Sequence, residues 1–170
     1  MIIELDQKEQ QQVVDETTKY IDLANNLFET NYPTIPITFD LKGHTIGMYK
    51  QGRGERLIRY NSPIFAKFFD ANLRDTVPHE VAHYIVDMHY GARNIRPHGK
   101  EWRSMMERFN ADASRTADYD LSDMPKRSYS SIAYRCDCKV HQLGIRRHNK
   151  VIQGKMSYSC RHCGDVLTAV

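Results

Sequence analysis

Nothing in these 170 residues approaches the run of about 20 apolar residues that a membrane-spanning helix needs. The opening MIIELDQKEQQQ turns acidic and polar at once, so it does not read as a secretory signal. Cysteine is scarce: there are four, and none before residue 136. That distribution excludes a disulfide framework through the body of the chain. Without an export signal, a reducing cytoplasm is the expected compartment. A phosphate loop is lacking too, because Gly52 and Gly54 sit in the polar run KQGRGE, outside any strand–GxGxxG–helix context. With 41% hydrophobic and 26% charged residues, the composition is that of an ordinary globular chain, able to bury one sizeable core and a small satellite module.

The overall charge of +3 hides an asymmetry. Residues 126–170 carry nine Lys/Arg against two acids, Asp137 and Asp165, for a net of +7, while the rest of the chain is at −4. A basic module on an acidic body is expected, with boundaries at 1–125 and 126–170.

The stretch TVPHEVAHYIVDMHYG, residues 76–91, holds His79-Glu80-Val81-Ala82-His83. Residues four apart share a helix face, so His79 and His83 can bind one metal with Glu80 turned to the same pocket. Two imidazoles beside a carboxylate suit zinc and the activation of a water. Val77, Val81, Ala82, Tyr84, Ile85 and Val86 bury the rest of this helix, and Gly91 is its expected stop. A catalytic zinc commonly has three protein ligands and one open position. His98, across a turn and at the start of a second helix, is the expected third, with Gly99 leaving room for the fold-back. His89, Glu101, Glu107 and Asp87 compete for that place; Asp87, four residues after His83, also suits a supporting role. Glu80 reads as the general base that takes a proton from the zinc-polarised water and passes it to the leaving nitrogen. Tyr84, Tyr90, Arg93 and Arg96 are candidates for an oxyanion donor.

The remaining elements follow from periodicity. Residues 6–30 read as a scaffold helix through Val13, Val14, Tyr20, Ile21, Ala24, Leu27 and Phe28. Ile35, Ile37 and Phe39 alternate as a strand, and HTIGMY (44–49), turn 50–55 and RLIRYN (56–61) read as a hairpin. The strand opened by the incidental His44 is a candidate sheet edge for an extended substrate. Ser62-Pro63 opens a helix, with Ser62 as its cap and Phe65, Phe68, Phe69 and Leu73 as core. Pro78 either starts the histidine helix or kinks one that begins near Asn72. Residues 99–110 resume helical spacing, with Trp102, Met105, Met106 and Phe109 as core, and 111–133 read as a short capped piece and a linker.

Residues 134–167 carry all four cysteines. Cys160-x-x-Cys163-Gly164 is a strong zinc knuckle, and Tyr134-Arg135-Cys136 echoes Tyr158-Ser159-Cys160. Two strands, each running into a knuckle and joined through a hairpin, make a zinc ribbon. Cys136 and Cys138 are only two apart, so the fourth ligand is either a cysteine, giving four thiolates, or His141. Metal would supply much of the folding energy of so short a segment. Arg135, Lys139, Arg146, Arg147, His148, Lys150, Lys155 and Arg161, interleaved with Tyr134 and Tyr158, suit a phosphate backbone and unpaired bases.

The stretches VPHEVAHYIVDMHYG, PHGKEWRSMMERF and YRCDC…HQL…RRHN…YSCRHCG, with the hairpin before them, resemble the SprT family. This zinc metallopeptidase-like group includes the catalytic domain of the DNA–protein crosslink protease Spartan. The resemblance covers nearly the whole chain. It implies a small α+β metallopeptidase domain, helices plus a short antiparallel sheet, followed by a zinc ribbon. It makes His79, His83 and His98 the ligands of a catalytic zinc and Glu80 the catalytic residue; from the residues themselves, Cys136, Cys138, Cys160 and Cys163 are the expected second, structural zinc site. Related ribbons have Cys-x-x-Cys in the first knuckle, so the departure here keeps His141 in play. The expected function is a zinc endopeptidase acting on protein substrates, with DNA-bound or DNA-crosslinked proteins as the substrate class and DNA as a partner of the basic module. The alternatives are a nucleic-acid-binding zinc protein with weak or unused peptidase activity and a regulator that acts by protein contact.

Overall fold

A computed structural model describes residues 3–52, 54–114, 118–126 and 129–170. The chain is α+β and divides into two compact units, Met1–Lys126 and Arg127–Val170, each with its own apolar core. Among the described residues no helix is long and apolar enough to cross a membrane.

The first unit opens with α1, Gln7–Phe28. Asp6 accepts from the Glu9 N–H at 2.8 Å and Glu9 returns a carboxylate to the Asp6 N–H at 2.9 Å, a reciprocal cap that satisfies two amides the helix cannot. Val13, Thr17, Ile21 and Ala24 recur at helical spacing and are buried. The sheet consists of β1 (Ile37–Thr38), β2 (Gly47–Gly52) and β3 (Glu55–Tyr60), in the order β1-β3-β2. The sheet is mixed: β2 pairs antiparallel with β3, whereas β1 joins β3 in parallel, Ile37 opposite Ile58. The hairpin is tighter than its sequence suggests. Lys50 faces Leu57 and Gln51 faces Arg56, so both belong to the strand rather than to a turn, and His44 lies ahead of β2.

The cap of α2 (Ser62–Lys67) is Asn61, not Ser62. The Asn61 carboxamide accepts from the Ile64 N–H while its amino group donates to the carbonyls of Gly43 and Thr45, each at 2.9 Å. Only a side chain with both a donor and an acceptor can cap a helix and clamp the loop before β2 at once. The Ser62 hydroxyl instead accepts from the Leu5 N–H at 2.8 Å.

Both readings of Pro78 are partly right. After the short α3 (Phe69–Ala71) comes a wide π turn, Asn72–Thr76, which leads without a break into α4, Val77–Tyr90. The Val77 N–H bonds back to the Asn72 carbonyl, one residue farther than in an α-helix, and Pro78, which has no N–H, sits in the first turn of α4. Asn72 is wholly buried and pins the turn: Oδ1 accepts from the Thr76 hydroxyl at 2.7 Å and Nδ2 donates to the Ile64 carbonyl at 3.2 Å. Helix α5, Lys100–Arg108, ends two residues before the expected 110.

The core gathers Val81, Ile85 and Val86 of α4 with Tyr60, Phe65, Trp102, Met105, Met106 and Phe109. Part of the expected linker is docked on this body. Tyr119 stacks on Phe68 with ring centroids 4.2 Å apart, and Lys67 Nζ reaches the Asp120 carbonyl and the Asp123 carboxylate. Residues 115–117, 127 and 128 of that stretch lie outside the described residues.

In the second unit, β4 (Ser131–Arg135), β5 (Val140–Gly144) and β6 (Thr168–Ala169) form an antiparallel sheet in the order β5-β4-β6. The segment between the two knuckles is not a simple hairpin, because β5 runs straight into α6, Ile145–Ile152. Ile145, His148 and Val151 lie three apart and are the half-buried positions of that helix. Tyr134, Leu143, Cys160 and Leu167 make its small buried core.

Candidate metal centres

Helix α4 puts His79 and His83 on one face, and Gly91 ends it. The chain returns through residues 92–97 to His98, whose φ of 55° is left-handed. That conformation is uncommon for a residue with a side chain and turns the imidazole back toward α4. Gly99 makes the return possible, since a Cβ there would lie 2.9 Å from the Arg96 carbonyl. The three Nε2 atoms form a triangle with edges of 3.3 Å (His79–His83), 3.1 Å (His83–His98) and 3.0 Å (His79–His98).

Hydrogen bonds alone do not account for that triangle. Each Nε2 is either a donor or an acceptor, so at least one of three mutual edges must join two of a kind. Three lone pairs turned to a common cation satisfy all of them. A tetrahedral ion with metal–nitrogen bonds of about 2.0–2.1 Å separates its ligand nitrogens by about 3.3–3.4 Å, close to the edges seen. The histidines therefore fit a metal, and as a set they could hold one.

Trp102, four residues after His98 on α5, floors the triad. Its ring centroid lies 4.7, 5.7 and 4.7 Å from those of His79, His83 and His98, and its indole N–H donates to the His79 carbonyl. Sequence spacing identified Trp102 as core, which it is, but not as the surface against which the histidines are oriented.

Three of the four other candidates for the third position have partners elsewhere. His89 meets the Tyr32 hydroxyl at 2.8 Å and packs on Phe28. Glu101 lies 3.8 Å from Lys100, and Glu107 is exposed. Asp87 is buried and holds the Tyr49 hydroxyl at 2.6 Å and Arg56 Nε at 2.8 Å, tying the hairpin to α4. Of the candidate oxyanion donors, Tyr84 is removed: it is buried and donates to the Pro33 carbonyl at 2.7 Å. Arg96 lines the same cleft as the three histidines.

Two clefts meet at His79, Glu80 and Gly47. One, of about 510 Å³, runs past His44, Asp75 and Tyr119; the other, of about 440 Å³, runs past Met48, Ile95, Arg96 and Pro97. Glu80 is buried between them and accepts the Tyr49 backbone N–H on Oε2 at 2.6 Å. Burial pushes its carboxyl up to about 7, against the opposing pull of that N–H. Burial also pushes His79 down to about 4, helped by His98, and His83 down to about 3, helped by His79 and His98. These imidazoles stay neutral, the form that binds metal. Because their folded values lie below the ordinary 6.5, the stability they contribute is complete above that pH and is lost as pH falls toward 3. In the metal-free protein, ring-proton NMR should show both titrating well below 6.5; midpoints near 6.5 would contradict the burial argument.

In the second unit, Cys136, Cys138, Cys160 and Cys163 bring their sulfurs within 4.8 Å of one another, a set that could hold a second metal. Cys136 and Cys138 Sγ are 3.4 Å apart, and Cys138 and Cys160 Sγ 3.6 Å. Backbone N–H groups of Cys163 and His162 draw the Cys160 thiol down to about 5, while contact with Cys136 pushes the Cys138 thiol up. His141 lies beside the cluster, its Nε2 3.2 Å from Cys136 Sγ. This unit also exposes Arg135, Lys139, Arg146, Arg147, Lys150, Lys155 and Arg161. The expected aromatics are not free to stack: Tyr134 is buried with its hydroxyl 3.0 Å from His148 Nδ1, and Arg147 covers the Tyr158 ring at 5.7 Å.

A family model described as the SprT-like family matches residues 17–122, a span that contains the histidines and ends before the first cysteine. The chain is similar to Protein SprT of Vibrio parahaemolyticus, with 38% identity over 168 residues that cover 98% of this chain and 95% of that one. It is similar to Protein SprT of Escherichia coli K12, with 35% identity over 161 residues that cover 94% and 93%. No solved structure matches it significantly.

Proposed function

The chain belongs to the SprT-like family, and on that premise we propose that it is a zinc-dependent endopeptidase. The carrying observation is a buried carboxylate, Glu80, next to three converging imidazoles in an open cleft. Zinc suits three imidazoles in tetrahedral array, and when bound it supplies Lewis-acid chemistry, activating a water and polarising a carbonyl. His79, His83 and His98 would hold it, with the Trp102 floor fixing their rings. Glu80 accepts a proton from the attacking water and delivers it to the leaving amide nitrogen. Arg96, which lines that cleft, is the proposed donor to the developing oxyanion.

The sheet edge supplies the place for a peptide. The Asn61 N–H bonds to the Ile46 carbonyl, so by alternation the backbone groups of Gly47, Tyr49 and Gln51 point away from β3. An extended chain can add there as a further strand, which favours an endopeptidase over an enzyme trimming termini. The four cysteines of the second unit would hold a structural zinc, and the seven cations exposed among its described residues suit a nucleic-acid backbone, so DNA-bound proteins are the proposed substrates. With both aromatics withdrawn, phosphate contact rather than base stacking carries that binding. The same basic surface favours a second reading, a nucleic-acid-binding protein with little peptidase activity. Cleavage of a DNA-binding protein is the test, with and without single-stranded DNA and at two salt concentrations. DNA-stimulated, salt-sensitive cleavage is expected; intact substrate with DNA binding retained would favour the second reading.

A further inference from the structure

At Gly47, β2 passes hard against Glu80 of α4 and Thr76 of the turn before it. A Cβ at this position would lie 2.8 Å from Glu80 Cγ, 2.8 Å from Glu80 Oε1 and 2.9 Å from Thr76 Cγ2. Its backbone is not left-handed, so no conformational demand selects glycine here, and only the approach does. The strand cannot give way: Gly47 pairs with buried Tyr60, the Asn61 N–H holds the Ile46 carbonyl at 2.8 Å, and the Asn61 side chain holds the carbonyls of Gly43 and Thr45. Thr76 is fixed in turn by its bond to Asn72. An added methyl group would therefore move the Glu80 side chain.

We propose that Gly47 is a positioning residue for Glu80. Its bare face lets the carboxylate lie along the edge of β2, where the Tyr49 backbone N–H fixes Oε2 and leaves Oε1 as the acceptor that faces the cleft. This rests on the reading of Glu80 as general base. Tyr49 has two roles in the arrangement. Its N–H orients Glu80, and its hydroxyl, on Asp87, anchors the strand that carries the N–H. One outward amide of the edge strand is thus used by the enzyme's own carboxylate, so an added substrate strand pairs at Gly47 and Gln51, on either side of Tyr49.

The test compares wild type, Gly47→Ala and Gly52→Ala. Gly52 is in the same strand, and a Cβ there meets nothing within 4 Å. Displacement of a catalytic group by about 1 Å costs about 10²-fold in rate. Gly47→Ala should therefore lose kcat by about that factor, with KM, zinc content and thermal midpoint near those of wild type, and Gly52→Ala should behave as wild type. The Tyr49 amide proton gives a readout independent of activity. It should lie downfield in wild type and move upfield in Gly47→Ala and in Glu80→Gln, where the acceptor is displaced or loses its charge. Equal kcat in Gly47→Ala and wild type would overturn the proposal, and so would a Tyr49 amide that stays put in Glu80→Gln. If Gly47→Ala does not fold, the Glu80→Gln spectrum still tests the Tyr49–Glu80 contact on which the positioning depends, and an unmoved Tyr49 amide there overturns the proposal. If wild type cleaves nothing, the peptidase reading fails, while the Tyr49 amide still tests the contact itself.

Discussion

Glu80→Gln is expected to lower kcat by roughly 10²–10⁴-fold while leaving zinc content unchanged. The substitution preserves the shape of the side chain. Its carbonyl can still accept from the Tyr49 N–H, and the three imidazoles are untouched. What is lost is the ability to take a proton. A stability effect of opposite sign should accompany the loss. Burial raises the folded value of Glu80 from 4.5 to about 7, so its contribution to stability is present below 4.5 and is lost as pH rises through 7. Above pH 7 in metal-free protein, wild type carries a buried charge that the amide does not, and the variant should melt higher. Lower activity with equal or greater stability separates a catalytic role from a structural one. Wild-type cleavage by Glu80→Gln, assayed side by side at equal zinc occupancy, would remove Glu80 from the mechanism.

Chelation should unfold the second unit and leave much of the first folded. The buried core of residues 127–170 consists of Tyr134, Leu143, Cys160 and Leu167, too little apolar surface to offset the ordering of some forty residues. The four sulfurs converge from the turn after β4 and from the second knuckle, so one ion closes the structure. Hydrogen exchange after chelation should show loss of protection across residues 131–144 and 158–169, with α1, α4 and α5 still protected. Unchanged protection in the cysteine unit would contradict a metal-built fold. Single replacements then identify the fourth ligand. Cys138→Ser should release the metal and His141→Ala should not, because four sulfurs already lie within 4.8 Å of one another.

Much of this arrangement was legible because it is local. The i, i+4 histidines, the helical spacing of α1 and the paired cysteines each follow from residues a turn or a knuckle apart. What escaped the sequence depends on distant partners. Asn61 displaced Ser62 as a cap because its amide also finds two carbonyls in the preceding loop. The π turn before Pro78 depends on Asn72 reaching Ile64 and Thr76. Tyr134 looked like a stacking aromatic, and only the packing of β4, β5 and α6 shows it buried. The demand for glycine at 47 is invisible without the approach of β2 to α4, since nothing in HTIGMY distinguishes a packing glycine from a turn glycine. Helix α6 was missed because eight residues between two cysteine motifs read as the connector of a ribbon.

Zinc equivalents and cleavage rate, measured on the same preparations of wild type and His98→Ala, test whether His79, His83 and His98 hold a zinc beside Glu80 and whether that centre cleaves peptide bonds. Two equivalents and cleavage are expected in wild type, and in His98→Ala a loss of zinc from the histidine site together with cleavage, while the cysteine unit keeps its metal and its fold. Zinc bound only by the cysteines in wild type, or full zinc content and cleavage in His98→Ala, would contradict a zinc peptidase at this site.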